Sequence, residues 1–116
     1  MKQTLKRSER ITRRADLMRA VRRGRSMIDG RLRLHVLANS AGRRRLGVMV
    51  SRRHGPANRR NRLKRLCREA FRTCRENLPD GCDYVVMPAV GAELTLEAAR
   101  ESLCRLGRRL AKEHRP

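Results

Sequence analysis

Leu46-Gly47-Val48-Met49-Val50-Ser51-Arg52-Arg53-His54-Gly55-Pro56-Ala57-Asn58-Arg59-Arg60-Asn61-Arg62-Leu63-Lys64-Arg65-Leu66-Cys67-Arg68-Glu69-Ala70-Phe71-Arg72 changes its hydrophobic period partway along. At first the residues alternate, Leu46, Val48 and Val50 against Gly47, Met49 and Ser51, which predicts a strand at 46–52. From 57 to 78 the period becomes helical. Leu63, Cys67, Ala70, Phe71, Cys74 and Leu78 fall within a band of roughly 100° on a helical projection, with Leu66 at its margin. Asn61, Lys64, Arg68 and Arg75 line one flank of that stripe, and Arg62, Arg65 and Arg72 lie toward the other side. Such a helix has a dry face and a cationic face. Leu78-Pro79-Asp80-Gly81 ends it with turn chemistry.

Charge is concentrated on this stretch. Arg43 to Arg75 holds thirteen Lys or Arg against a single acid, Glu69, in a chain of 116 residues with net charge +20 and a pI near 11.8. That excess makes nucleic acid the first partner to consider and an anionic membrane surface the second. The only lysines are Lys2, Lys6, Lys64 and Lys112. Arginine suits bidentate phosphate contacts; a GC-rich coding sequence would explain the Arg-for-Lys preference equally well, but not the sign of the charge. Phe71 and Tyr84 are the only aromatic residues, which argues against a binder that stacks bases on an aromatic platform. The four cysteines have no Cys-x-x-Cys spacing and the histidines stand alone at 35, 54 and 114, so no zinc site is expected. Cys67 and Cys74 are about 10 Å apart along a helix, too far for a disulfide, and are read as small core residues in a reducing compartment. No apolar run approaches the roughly 18 residues of a membrane helix. A secretory h-region is absent too, so a cytoplasmic location is expected. Asp16, Asp29, Asp80 and Asp83 are scattered over turns and element ends, and no Ser/His/Asp or Cys/His arrangement is visible.

The rest of the chain reads as a single α+β domain. Residues 13–23 place Ala15, Leu17, Met18 and Val21 at helical spacing before Gly24. Residues 31–38 alternate, with Leu32, Leu34 and Val36 toward a core and Arg31, Arg33 and His35 on the other face. A turn at Asn39-Ser40-Ala41-Gly42 suggests that this strand and the one at 46–52 form a hairpin. Asp83 to Met87 is nearly all apolar, as expected of a central, covered strand. A last helix begins at Thr95 as N-cap, with acids early, arginines late, and a stripe of Leu96, Ala99, Leu103, Leu106 and Leu110. Residues 1–10 read as a basic arm without fixed structure, leaving 11–116 as the domain.

Leu46 to Gly55, Ala57, and Arg60-Asn61-Arg62-Leu63-Lys64-Arg65-Leu66-Cys67-Arg68-Glu69 together resemble the signature of the bacterial ribonuclease P protein family. That signature is a strand ending in two basic residues and Gly, a short Ala-containing link, then Arg-Asn-Arg-x-Lys-Arg-x-x-Arg-Glu on a helix. The flanking elements occur in the matching order, so the resemblance spans residues 13–110. It implies an α/β sandwich around a small central sheet, with the motif helix in a left-handed β-α-β crossover against the usual right-handed rule. It also implies a protein cofactor of a ribozyme that removes the 5′ leader of precursor tRNA. The expected partners are the catalytic RNA, in a 1:1 complex, and precursor tRNA, with neither DNA nor a membrane. No cofactor is expected on the protein alone; Mg2+ belongs with the RNA of the holoenzyme. A basic ribosomal or other structural RNA-binding protein is the alternative.

By this resemblance Arg52, Arg53, Arg60, Asn61, Arg62, Lys64, Arg65 and Arg68 contact the catalytic RNA. Their charges suit phosphates, while Asn61 carries both donor and acceptor and can fix the helix junction or a base edge. Gly55 permits a tight turn and close approach of a backbone. The leader cleft would be lined by Leu17, Val21, Arg31, Arg33, His35, Met49 and Ser51, beside Arg52. Family members often carry aromatic residues at the positions of Leu17, Val21 and His35, so this cleft is expected to be smoother and more aliphatic. Asn58 stands where an apolar residue is usual.

Overall fold

The computed structural model describes residues 5–91 and 93–113. In chain order the elements are α1 (Arg14–Arg23), β1 (Arg25–Ile28), β2 (Leu32–Ala38), β3 (Arg45–Val48), α2 (Ala57–Cys74), β4 (Cys82–Pro88) and α3 (Leu96–Glu113). Short 3₁₀ turns occupy Arg7–Glu9, Arg52–His54 and Arg75–Asn77. The strands form one mixed sheet in the order β1-β2-β4-β3.

The apolar run of β4 decides this order. Residues Cys82 to Val86 are all buried, which requires a neighbour on both edges and cover on both faces. β4 therefore lies between β2, antiparallel to it, and β3, parallel to it. The hairpin expected between β2 and β3 does not form. The turn after β2 engages β4 instead: Asn39 donates its backbone N–H to Gly81 O and its side-chain amide to Asp83 Oδ1 at 2.7 Å. β3 and β4 become the parallel pair of a β-α-β unit whose connection is α2, the motif helix. β1, too short for its own pattern to mark it as a strand, pairs antiparallel with β2.

Helices cover both sheet faces. On one, Leu34, Val36, Leu46, Tyr84 and Val86 meet the apolar stripes of α2 and α3, and the Phe71 ring lies 5.7 Å from that of Tyr84. Thr95 caps α3 as expected, its Oγ1 accepting from Ala98 N–H at 3.1 Å. On the other face α1 seals only part of the sheet, burying Ala20, Ile11 and Val85 with Leu17 and Val21 beside them. From Leu5 onward the expected arm is packed: Leu5 joins the core, Glu9 pairs with Arg75, and Ile11 N–H bonds Leu46 O. Residues 1–4 lie outside the described residues. Among those described, no helix is long and apolar enough to cross a membrane.

Candidate nucleic-acid interface

The cationic side of α2 begins at its connection to β3. There Ser51 Oγ accepts from Arg53 N–H, and Ser51 N–H donates to His54 Nδ1 at 3.0 Å. With Nδ1 accepting, the imidazole proton sits on Nε2, which donates to Pro88 O at 2.7 Å. His54, to which the sequence reading gave no role, thus fastens the linker to the end of β4. Arg52 and Arg53 are left projecting outward. Gly55 then takes φ +114° and ψ −168°, a conformation open essentially to glycine alone. A side chain there would also strike Arg59 Cδ.

Along α2 the cations divide by depth. Arg62 and Arg65 are exposed, as is the uncharged Asn61, whereas Arg60, Lys64 and Arg68 are half-buried. The Arg60 Nε is buried without a hydrogen-bond partner among the described residues. Burial, and then the charge of Arg10 beside it, lower the Arg68 pKa, though a guanidinium remains charged. Arg10 is a further cation of this flank that the motif did not point to.

Within the described residues, ion pairs engage nine arginines outside the run from Arg52 to Arg68, Arg19 with Asp16 among them. Arg25 and Arg109 pair with Glu113, Arg31 with Glu101, Arg44 with Asp80, Arg45 with Asp83, Arg75 with Glu9, and Arg105 with Asp29. Glu69, the one acid of the motif, takes Arg72. None of Arg52, Arg53, Arg59, Arg60, Arg62, Lys64, Arg65 or Arg68 has an ion pair with a described residue. Eight cations on a 3₁₀ turn and three helical turns are thus left for an external polyanion.

The second surface lies between α1 and the sheet. Leu17 and Val21 face the sheet, and Leu17 occupies the space above Gly47, where any Cβ would lie 2.1 Å from its Cδ2. His35 is only 5 % exposed, buried by α1 opposite Val85, although its strand alternation placed it on a polar face. Burial, followed by the charge of Arg33, lowers its pKa, so it is neutral near pH 7. Its Nδ1 has no partner among the described residues. Beyond the end of α1 the trough opens onto exposed Arg33, with Met87 opposite it in the sheet register and Ile28 on its other side. Met49 joins the same apolar cluster. Leu17, Val21, Arg33, His35 and Met49 therefore share one surface, and exposed Ser51 lies just past Met49 in the chain. Arg31 does not join them. Its guanidinium bonds Ala98 O at 3.2 Å and Glu101 at 3.1 Å, tying it to α3. Gly47, Met87 and Ile28 belong to the trough without having been assigned to it; their signal was the period-two register, which needed β1 and β4 to be placed first. Among the described residues no three His, Cys, Asp or Glu side chains converge as a metal-holding group.

Fold and surface together define a class: a small α+β protein that displays a helix of uncompensated cations and, on the far side of its sheet, a half-covered aliphatic trough edged by arginine. Comparison with known proteins narrows it. The family model described as Ribonuclease P matches residues 5–111, and the chain belongs to that family. A ribonuclease P protein component from Pelotomaculum thermopropionicum is 40% identical over 95 residues, covering 81% of this chain and 85% of the relative. Among solved structures, the ribonuclease P protein of Thermotoga maritima superposes with a TM-score of 0.77 at 33% identity, covering 87% of this chain and 96% of that one. That of Staphylococcus aureus gives 0.73 at 28%, covering 90% and 95%.

Proposed function

We propose that this chain is the protein cofactor subunit of ribonuclease P, which binds the catalytic RNA and the 5′ leader of precursor tRNA and assists endonucleolytic removal of that leader. The observation that carries the reading is the set of eight cations from Arg52 to Arg68 without ion pairs, in a protein whose remaining acids are largely engaged elsewhere. In this reading α2 and the Arg52–His54 turn hold phosphates of the catalytic RNA in a 1:1 complex in the cytoplasm. The trough takes the leader as a single strand: Leu17, Val21 and Met49 offer aliphatic surface and Arg33 a phosphate contact, while His35 lies covered beneath them. Arg31 acts through α3, as a support for the sheet end. Bond cleavage, and the Mg2+ that supplies electrophilic stabilisation for it, belong to the RNA. The protein positions and neutralises.

The test is reconstitution. Purified protein is mixed with a bacterial ribonuclease P RNA at limiting magnesium and precursor-tRNA cleavage is measured. Acceleration is expected. Inertness combined with tight binding to ribosomal RNA would favour a structural RNA-binding protein, and cleavage without added RNA would overturn both readings. Within the active complex, Arg33→Ala is expected to weaken precursor tRNA binding by roughly threefold to tenfold, as for one lost phosphate contact, while leaving mature tRNA binding unchanged. Equal losses for both would remove the leader from the trough.

A further inference from the structure

The four cysteines, all free thiols, occupy unequal places: Cys67, Cys74 and Cys82 are buried, while Cys104 is half-buried on α3. Cys67 and Cys74 share one helix and cannot bridge. Cys104 stands differently, because it packs against the core cluster that contains Cys74, the last residue of α2, and its thiol is hydrogen-bonded to the Cys74 thiol. Two facing helices thus bring a pair of sulfurs together.

A close approach of backbones sets up this pair. Gly107, one turn beyond Cys104 on α3, lies against the turn that follows α2, where a Cβ would meet Asn77 O at 2.5 Å. Glycine lets α3 come this near. From the same turn Asn77 Nδ2 donates to Cys104 Sγ at 3.4 Å, which fixes that sulfur beside Cys74. On its outer side Cys104 lines an open surface groove with Arg100 and Arg108, each one helical turn away, exposed and without an ion pair among the described residues. Of the groove's other charges, Glu101 is engaged by Arg31 and Arg105 by Asp29, which leaves Glu97 as its one acid without a pair among the described residues. The groove is therefore cationic. Burial, and then the neighbouring Cys104 thiol, push the Cys74 pKa up to about 12, so Cys74 stays protonated near neutral pH and is shielded from reagents in solution.

We propose that Cys104 and Cys74 form a reversible disulfide site, with Cys104 as the attacking thiol, Cys74 as the resolving thiol, and a small disulfide bearing carboxylates, of the glutathione class, as the oxidant. In the first step the Cys104 sulfur bonds to one sulfur of the reagent, the reagent's S–S bond breaks, and one reagent thiol leaves with the Cys104 proton. In the second, the Cys74 sulfur bonds to the Cys104 sulfur, the mixed disulfide breaks, and the second reagent thiol leaves with the Cys74 proton. Both cysteines are oxidised and one reagent disulfide is reduced to two thiols. The bond clamps the end of the motif helix to α3 and restricts the unfolded chain, while the cations from Arg52 to Arg68 stay open. Excess thiol reverses it. The site is independent of the proposed function.

The experiment uses the free, reduced protein. Oxidised glutathione is added near neutral pH, samples are quenched over time by alkylation in denaturant, and the cysteines are mapped by mass spectrometry. A glutathione adduct on Cys104 is expected first, then a disulfide between Cys74 and Cys104 within one chain, with Cys67 and Cys82 left as free thiols. The cross-linked protein should unfold at a higher urea concentration than the reduced one, and dithiothreitol should restore the original midpoint. Cys74→Ala should halt the reaction at the adduct, and Cys104→Ser should give neither product; the order of species in the parent protein carries the same information if the buried Cys74 variant does not fold. Replacing Arg100 and Arg108 together by Ala should slow adduct formation roughly threefold to tenfold at low salt, an effect that high salt erases. An unchanged rate would overturn the anionic class of the oxidant. An unreactive Cys104, an adduct that never resolves, a bond between two chains, or equal modification of Cys67 and Cys82 would overturn the site itself.

Discussion

Arg60 and Arg65 belong to one motif but occupy different surroundings, and the difference is measurable. Arg65 is exposed, whereas Arg60 is half-buried with its Nε withdrawn from water. Each is expected to contribute about one phosphate contact, so Arg65→Ala or Arg60→Ala should flatten the slope of log K against log salt for ribonuclease P RNA by about 0.7–0.9. Only Arg60→Ala should also lower the urea midpoint, because its aliphatic stem is packed. An unchanged slope in both would count against the cationic face. His35 supplies a pH prediction. Its folded pKa lies below the ordinary 6.5, so at mildly acidic pH the unfolded chain binds more protons than the folded one. Stability is full above about pH 6.5 and falls as pH drops toward the lowered folded pKa. Chemical denaturation between about pH 7 and 5 should show that loss, and His35→Gln should reduce it. A variant with the same pH profile would show that burial of His35 is not its source.

At the scale of elements, α2 is held by one aromatic anchor. Phe71 is fully buried against Tyr84, and Phe71→Ala is expected to cost about 3–5 kcal/mol, read as a fall in the urea midpoint. Under conditions where the variant is still folded, its salt slope with RNA should match the parent, because the cations lie on other faces of the helix. A changed slope would mean that the helix has shifted on the sheet. The same elements show what the sequence discloses. α2 was legible because two patterns coincide in it, an apolar stripe and a charge bias, and Thr95 was legible because capping is local. The pairing of β2 with β4 was not. The Asn39–Gly42 turn satisfies every local rule for a hairpin, and only the two-sided apolarity of Cys82 to Val86 argues that a third strand must come between. β1 has just four residues with one buried, Met27, too short for a period to declare itself. Alternation puts His35 with Arg31 and Arg33 opposite the core, but it says which residues share a face, not whether a helix covers it. The burial of Leu5 depends on a groove that exists only after folding.

At the scale of the whole molecule, the net charge of +20 is carried by a body with a modest apolar cluster on each face of its sheet. Mutual repulsion among the unpaired cations opposes the folded state, and salt screens it. Raising sodium chloride from about a tenth molar to about half molar shortens the Debye length from roughly 10 Å to about 4 Å. The thermal midpoint should therefore rise while affinity for RNA falls. A midpoint that falls with salt would mean that the internal ion pairs outweigh the repulsion. The strand order has a consequence of a different kind, in time rather than space. β3 is made before its partner β4, and β2 meets that same strand about forty-five residues after its own synthesis. Until Pro88 has been added, β2 has only β1 beside it and β3 has no neighbouring strand. Contacts of such sequence separation form late and slowly. A nascent chain that already displays every motif arginine cannot yet hold them on a rigid helix, so the cationic face is complete only when the sheet closes.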